Sequence, residues 1–173
     1  MPREVLPQLG VEAVVESLNN LGLPIHEYII LGGANMVLRG IKSTTEDVDL
    51  LVSTNSFDEL ARRKDTILKA PPLPAQLMGA TNQTAWIKTE RNPLPISATD
   101  SLGDGYFPMT FDEFFSRTEL VSGLPCIKLD DLITAKEALQ RPKDMADLRH
   151  IARFTGRAMQ LPRPTVEFPY RDS

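Results

Sequence analysis

The chain has one cysteine, Cys126, and no run of apolar residues as long as the roughly 18–20 needed to cross a bilayer. A lone cysteine excludes an internal disulfide framework. The opening residues, MPREVLPQLG, contain no apolar core of a signal peptide. We therefore expect a soluble, cytoplasmic protein of a reducing compartment, without a membrane partner.

The chain also lacks a large excess of either charge, since 19 basic and 23 acidic side chains leave a formal net charge of −4. This balance excludes a protein that coats nucleic acid through its overall charge, although it permits a local basic groove. The two histidines, His26 and His150, have no cysteine or second histidine at ligand spacing, so zinc and a nucleophilic triad are not predicted. We expect both histidines to be structural or solvated.

The content of apolar residues, 42% in 173 residues, is sufficient for one globular core. Helical spacing and capping boxes predict helices over 10–21, 34–40, 56–68, 110–117, 130–140 and 143–156. Short β-prone runs predict strands over 28–31, 48–52, 84–90 and 94–98, and a paired set at 119–121 and 125–128. Prolines at 71, 72 and 74 mark the end of the third helix, and 99–109 is predicted as loop.

This alternation predicts an α/β (α+β) fold, a mixed sheet with flanking helices and a helical C-terminal third at about 129–156. No break in composition divides residues 1–160, which we treat as one domain. Residues 161–173 are rich in proline and are predicted to form an extended tail. Cys126 lies in a strand-like apolar context typical of a core cysteine, and Trp86 is expected in the core or at its rim.

A glycine pair, Gly32-Gly33, lies between a predicted buried strand and a helix. Glycine has no Cβ to block close approach, and a helix start offers unpaired backbone N–H groups to an anion. The pair therefore indicates a place for a phosphate. A tight turn without a ligand has the same pattern, and the two interpretations remain open at this point.

Two acids, Asp47 and Asp49, open the strand over 48–52. Alternate strand residues share a face, so these carboxylates converge, and adjacent carboxylates are destabilising unless a cation neutralises them. Hard oxygen ligands select Mg²⁺, so the pair indicates a magnesium site. The alternative is that both acids only hydrate one face of an edge strand.

Two separated motifs extend this constellation. The first runs from glycine through a basic residue and threonine to D-[IV]-D-L, at Gly40, Lys42, Thr45, Asp47, Asp49 and Leu50. The second comprises LDDLI at 129–133, Lys136, RPKD at 141–144 and Asp147-Leu148. Together with Gly32-Gly33, these motifs resemble the minimal nucleotidyltransferases of the polymerase beta superfamily. The resemblance covers about residues 11–153. The group that the chain resembles includes the toxins of type IV abortive-infection systems and their uncharacterised relatives.

The resemblance implies roles for individual residues. Asp47 and Asp49 would be catalytic and would hold Mg²⁺. Nucleotide binding is implied for Gly32, Gly33, Lys42, Thr45, Lys136, Lys143 and Asp144. Solvated side chains remain the alternative for the three lysines, and helix capping with surface ion pairs remains the alternative for Asp147.

The family's third carboxylate is expected near Ser97 or Ala98, and neither residue is an acid. Asp100 is our prediction for the third catalytic residue, although it has the strand parity of Ile96 and needs a bulge or a strand end to reach the other two. Glu90 and Asp104 are the alternatives. If none reaches, the chain binds a nucleotide without transferring it efficiently.

The resemblance implies Mg²⁺-dependent transfer of a nucleoside monophosphate from an NTP to a hydroxyl group. The acceptor would be an RNA such as tRNA, a protein or a small molecule. It also implies a toxin of a toxin–antitoxin or phage-defence system, with a cognate antitoxin or a second copy of the chain as partner. The alternative is a non-catalytic module on the same fold that binds a nucleotide or a protein.

Overall fold

The protein is built on a seven-stranded mixed sheet, which a computed structural model describes over residues 9–70, 73–77, 83–101 and 110–156. The strands are β1 (Tyr28–Leu31), β2 (Val48–Val52), β3 (Thr66–Lys69), β4 (Thr84–Ile87), β5 (Ile96–Thr99), β6 (Glu119–Val121) and β7 (Leu124–Cys126). Their order is β3-β4-β5-β2-β1-β7-β6. The pairs β2–β5 and β1–β7 are parallel and the others antiparallel. This architecture confirms the predicted mixed α/β class.

The helices are α1 (Val11–Leu21), α2 (Gly32–Leu38), α3 (Thr54–Ala61), α4 (Leu73–Leu77), α5 (Phe111–Phe115), α6 (Leu129–Leu139) and α7 (Pro142–Thr155). A 3₁₀ turn, Ile25–Glu27, precedes β1. The capping box predicted for the fifth helix forms between Thr110 and Glu113. Pro142 occupies the first turn of α7, where its missing N–H has no intrahelical partner to lose. No helix in the described ranges is long and apolar enough to cross a membrane.

The sheet separates two groups of buried apolar residues, and β2 contributes to both. Val48, Leu50 and Val52 pack with the residues of α1 and β5. Leu51 packs on the opposite face, with the apolar residues of α5, α6 and α7. Since alternate residues of a strand share a face, Asp49 lies on the face of Leu51 and is directed toward the C-terminal helices. The alternation of β2 thus brings the acids to α6 and α7.

The predicted helix over 56–68 is wrong in its limits. Ser53, rather than Ser56, is the N-cap, and its hydroxyl accepts a hydrogen bond from the backbone N–H of Ser56. The helix ends at Ala61, and Thr66–Lys69 forms the edge strand β3 against β4. The apolar spacing of this segment fits a helix, but pairing with a distant strand decides its conformation.

Most other elements are confirmed with shifted ends. Residues Ser122 and Gly123 both have positive φ, 53° and 76°, as a two-residue hairpin turn between β6 and β7 requires. The strands predicted over 84–90 and 94–98 are β4 and β5 with shorter or displaced limits. The turn α4 was not predicted. The predicted loop beyond residue 101 and the proline-rich tail lie outside the described residues.

Candidate functional site

A polar cleft of about 790 Å³ lies between the start of β2 and the C-terminal helices. Its walls come from the first residues of α2, the loop over 40–46, the acids of β2, and α6 and α7. The predicted site residues among its lining are Gly32, Gly33, Lys42, Thr45, Asp47, Asp49, Lys136 and Lys143. Two motifs that are far apart in the sequence therefore form one site.

Asp47 and Asp49 share this cleft, and β2 lies inside the sheet between β1 and β5. The alternative of an edge strand hydrated by two acids is therefore wrong. Burial first, and then the charge of Asp49, raise the pKa of Asp47 to about 7. Burial also raises the pKa of Asp49, against the opposing charges of Lys143, Lys136 and Arg141. The chain thus holds two carboxylates in a place that disfavours their ionisation.

The glycine pair forms the first turn of α2 and lies directly against these acids. Gly32 has φ 58°, and a Cβ there would lie 2.6 Å from Oδ2 of Asp49. A Cβ at Gly33 would lie 2.7 Å from Oγ1 of Thr45. Both contacts are shorter than real Cβ atoms show, so a side chain at either position would force Asp49 or Thr45 to shift. The structure thus gives a packing reason for both glycines, and the phosphate site stays a prediction.

Four cationic side chains surround the acids: Lys42, Lys136, Arg141 and Lys143. Lys42 and Lys136 both bind the carboxylate of Asp147, with Nζ–Oδ distances of 3.1 and 2.8 Å. Lys143 is exposed at the start of α7, and its charge acts on both acids of β2. The cleft therefore holds basic groups close to its acids, as a polyanion bound to a metal on those acids would need.

Asp147 binds lysines of two different elements, the loop over 40–46 and α6. The sequence left its role open between helix capping with surface ion pairs and a contact to the nucleotide. Burial would raise the pKa of Asp147, but the hydrogen bond and charge of Lys136, together with Lys42, lower it below its ordinary value. This carboxylate is therefore ionised and fixes two lysine ammonium groups at the cleft. The sequence signal was its one-turn spacing from Asp144 in the second motif.

Asp144 was predicted to bind nucleotide, and the structure corrects this prediction. The side chain has no exposed surface and does not line the cleft. Its Oδ2 accepts hydrogen bonds from Nε of Arg141 at 2.7 Å and from the Arg141 backbone N–H at 3.0 Å. Asp144 therefore caps α7 and positions Arg141, which itself lines the cleft and which sequence reasoning did not select.

Among the described residues, none of the acids predicted as the third catalytic carboxylate lines the cleft, whose other acidic residues are Glu46 and Asp147. Ser97 is the residue of β5 opposite Asp49, and Asp100 follows the end of β5 without lining the cleft. Glu90 is exposed after β4, and Asp104 lies outside the described residues. Over the described ranges, no group of three His, Cys, Asp or Glu side chains is arranged to hold a metal. Asp100 thus lies outside the lining of the cleft, and its assignment as the third catalytic acid stays a prediction.

The donor set at the pair fits Mg²⁺. This ion is commonly held by one or two carboxylates together with substrate phosphates and water, rather than by a complete protein cage. Asp47 and Asp49 supply two oxygen-donor groups whose ionised forms are disfavoured by burial, and the charge of Asp49 further disfavours that of Asp47. A divalent cation would relieve both costs, so the residues present fit the group.

The remaining single residues have the places that the sequence suggested. Cys126 has no exposed surface, and burial raises the pKa of its thiol to about 12, so it belongs to the core. His26 is exposed beside Glu27. His150 is exposed at the rim of the cleft, which sequence reasoning missed because one histidine on a helix carries no local signal. Trp86 is half-buried, with Lys69 Nζ 4.1 Å from its ring centroid.

Comparison with known proteins gave no match to a protein-family model, to a curated protein or to a solved structure.

Proposed function

We propose that this protein binds a magnesium–nucleoside triphosphate in the cleft and transfers the nucleoside monophosphate to a hydroxyl acceptor. The observation that supports this most is the juxtaposition of a carboxylate pair with glycine backbone and four cationic side chains. Both acids are half-buried, Asp47 just before the central strand β2 and Asp49 within it. The cations lie within the same cleft. This arrangement joins a site for a hard cation to a site for a polyanion.

The four cationic side chains of the cleft suit the binding of a triphosphate. Lys42 and Lys136 are held in place by Asp147, so their ammonium groups are oriented before a ligand arrives. Arg141 is held by Asp144 and carries a planar fork that suits phosphate oxygens. Lys143 is exposed and free to reach outward from the first turn of α7. We assign these four residues to binding and orienting the phosphates.

The acids would hold the metal, and Mg²⁺ when bound would supply charge stabilisation at the phosphates. In the transfer, the acceptor oxygen forms a bond to the α-phosphorus and the bond to the bridging oxygen breaks. Pyrophosphate leaves, and the hydroxyl proton passes to solvent. Because Gly32 and Gly33 have no side chains, Asp49 and Thr45 approach α2 closely. The carboxylate of Asp49 therefore lies beside the N-terminus of this helix.

A second function is favoured by one observation, the serine at position 97. The residue of β5 beside Asp49 lacks a carboxylate to activate an acceptor hydroxyl. A non-catalytic module would bind the same magnesium–nucleotide through the same residues and release it unchanged. Both functions require the same magnesium–nucleotide, and they differ only in whether the nucleoside monophosphate is transferred to an acceptor.

The deciding experiment separates binding from transfer. Wild-type protein is incubated with Mg²⁺ and each of the four α-labelled NTPs, using total tRNA and purified protein as acceptors, and nucleotide binding is measured by calorimetry. We expect labelling of one acceptor and its loss in Asp49→Asn, which keeps the shape of the side chain but removes the charge. Asp58→Asn, an exposed acid on α3, is the matched control and should label normally.

Binding without labelling of any acceptor would support the non-catalytic module. Absence of both binding and labelling in the wild-type protein would contradict both functions.

A further inference from the structure

Two exposed apolar side chains outside the cleft, Ile67 and Leu68, lie on an edge strand of the sheet. β3 is the terminal strand at this edge, and none of the described strands pairs with its outer side. Ile67 is 59% exposed and Leu68 is 43% exposed, although they point to opposite faces. A strand with unpaired backbone groups and exposed apolar side chains is a template for pairing with another strand.

We propose that this edge, residues 65–69, pairs in antiparallel orientation with the same edge of a second copy of this chain. The two sheets then join across a two-fold axis. Ile67 lies on that axis, opposite Ile67 of the second copy. The proposal does not depend on the function assigned to the cleft.

The charges of the segment determine this orientation and register. Asp65 and Lys69 are exposed and lie two residues before and after Ile67. Asp65 is the turn residue just before β3. With Ile67 on the axis and the pairing continued by that one residue, Asp65 of each copy faces Lys69 of the other. A parallel arrangement would instead place like charges opposite each other, which is destabilising. The segment is thus complementary to itself in one orientation only.

The position of Lys69 is compatible with this pairing. Its ammonium lies over the ring of Trp86, which is opposite Ile67 in β4. The ring, the ammonium and the carboxylate of the second copy would then occupy one face of three adjacent strands. Lys69 carries several N–H donors on a flexible stem, so it contacts the ring and the carboxylate together.

The opposite edge of the sheet lacks this complementarity. β6 also exposes an apolar residue, Leu120, to 73%. Its charged residue, Glu119, forms an ion pair with Arg39 of the same chain at 3.0 Å, and β6 contains no basic residue. Leu120 therefore provides a matched control at an edge where no pairing is proposed.

Sedimentation equilibrium of the full chain tests the proposal. A segment of five residues buries less area than a permanent interface, so we expect a monomer–dimer equilibrium between about 1 µM and about 1 mM. Lys69→Asp should weaken the dimer by about tenfold or more, because it places like charges opposite each other twice. The reversed pair Asp65→Lys with Lys69→Asp should restore it, whereas Leu120→Lys should leave it unchanged.

A monomer at every concentration would overturn the proposal, as would a dimer that Leu120→Lys disrupts. Failure of the reversed pair to recover association would overturn the register. Circular dichroism verifies that each variant is folded.

Disulfide trapping tests the two-fold axis directly. Directly opposed residues of antiparallel strands have Cα atoms about 4.5–5.5 Å apart, which is within the range that a disulfide bridges. Ile67→Cys should therefore form a covalent dimer with diamide as the oxidant, and Leu120→Cys should not. The native Cys126 is buried and does not interfere. Absence of cross-linked Ile67→Cys protein at concentrations where association is measured would contradict the proposed axis.

Discussion

At the scale of single residues, close approach decides which side chains the site accepts. Asp49 lies against Gly32, and Thr45 lies against Gly33, at distances that exclude a Cβ. The sequence pattern showed a glycine pair and an acid pair separately. Their contact explains why both are needed, because the carboxylate of Asp49 occupies the volume that a side chain at position 32 would fill.

Gly32→Ala should destabilise the fold more than Gly22→Ala. Both glycines have positive φ, 58° and 74°, but a Cβ at Gly22 meets no atom within 4 Å. The control substitution carries only the cost of the left-handed backbone, about 1–2 kcal/mol. Gly32→Ala adds the collision with Asp49, about 1–3 kcal/mol more. Urea unfolding measures both values, and equal losses would contradict the close approach.

The raised pKa of Asp47 predicts how stability depends on pH. Its folded value is about 7 and its ordinary value is 3.8, so between these values the folded protein keeps a proton that the unfolded chain has lost. The free energy of unfolding therefore falls as pH rises through this window. Asp47→Asn should be more stable than wild type by about 1–3 kcal/mol near pH 8, and equal to it near pH 4, in metal-free buffer.

Urea unfolding across this range measures that difference, with Asp58→Asn as the control. A constant difference between Asp47→Asn and wild type at all pH values would show that Asp47 titrates normally.

At the scale of elements, the carboxylate of Asp147 in α7 binds two lysines that belong to two other elements. Asp147 binds Lys136 of α6 and Lys42 of the loop after α2. Lys136 also lies 3.7 Å from Asp144, which in turn holds Arg141. The loop and both helices are thereby joined at the cleft by buried or half-buried ion pairs.

Asp147→Asn should destabilise the protein by about 2–4 kcal/mol, because it leaves the Lys136 ammonium buried with a weaker partner. The side chain of Lys136 is only 7% exposed. The matched control is Glu59→Gln, whose ion pair with Arg63 is exposed and should contribute less than about 0.5 kcal/mol. Thermal and urea unfolding compare the two. Equal, small effects would indicate that Asp147 does not support the helix pair.

At the scale of the whole molecule, the cleft is the meeting point of the sheet and the C-terminal helices. Its predicted metal-binding acids lie at the start of β2, and its cations belong to the loop over 40–46, to α6 and to the beginning of α7. A ligand with a metal and a polyphosphate would therefore touch elements that are far apart in the chain. Binding would restrain them together while leaving the outer strands unaffected.

Magnesium with the preferred NTP should slow amide hydrogen exchange in residues 40–47, α6 and α7, and leave β3 and α3 unchanged. Exchange measured by mass spectrometry reports this pattern. The same measurement on Asp49→Asn should show little protection, since the metal is lost. Protection confined to β3 or α3 would place the ligand elsewhere.

The sequence by itself determined the elements whose signals are local. The apolar spacing of α1, the capping box of Thr110 and the breaks at Gly22 and Gly40 predict structure from neighbouring residues. The parity of Asp47 and Asp49 placed both acids on one face, because alternation in a strand is a property of the backbone. These predictions needed no knowledge of distant contacts.

Only the tertiary structure decided the conformation of residues 66–69 and the composition of the cleft. Pairing with β4 makes this segment a strand although its spacing fits a helix. The register of β2 against β5 places Ser97, and not Asp100, beside Asp49. Burial keeps Asp144 out of the cleft lining, while Asp147 and Arg141 line the cleft. Each outcome depends on contacts between residues far apart in the chain, which local propensity does not encode.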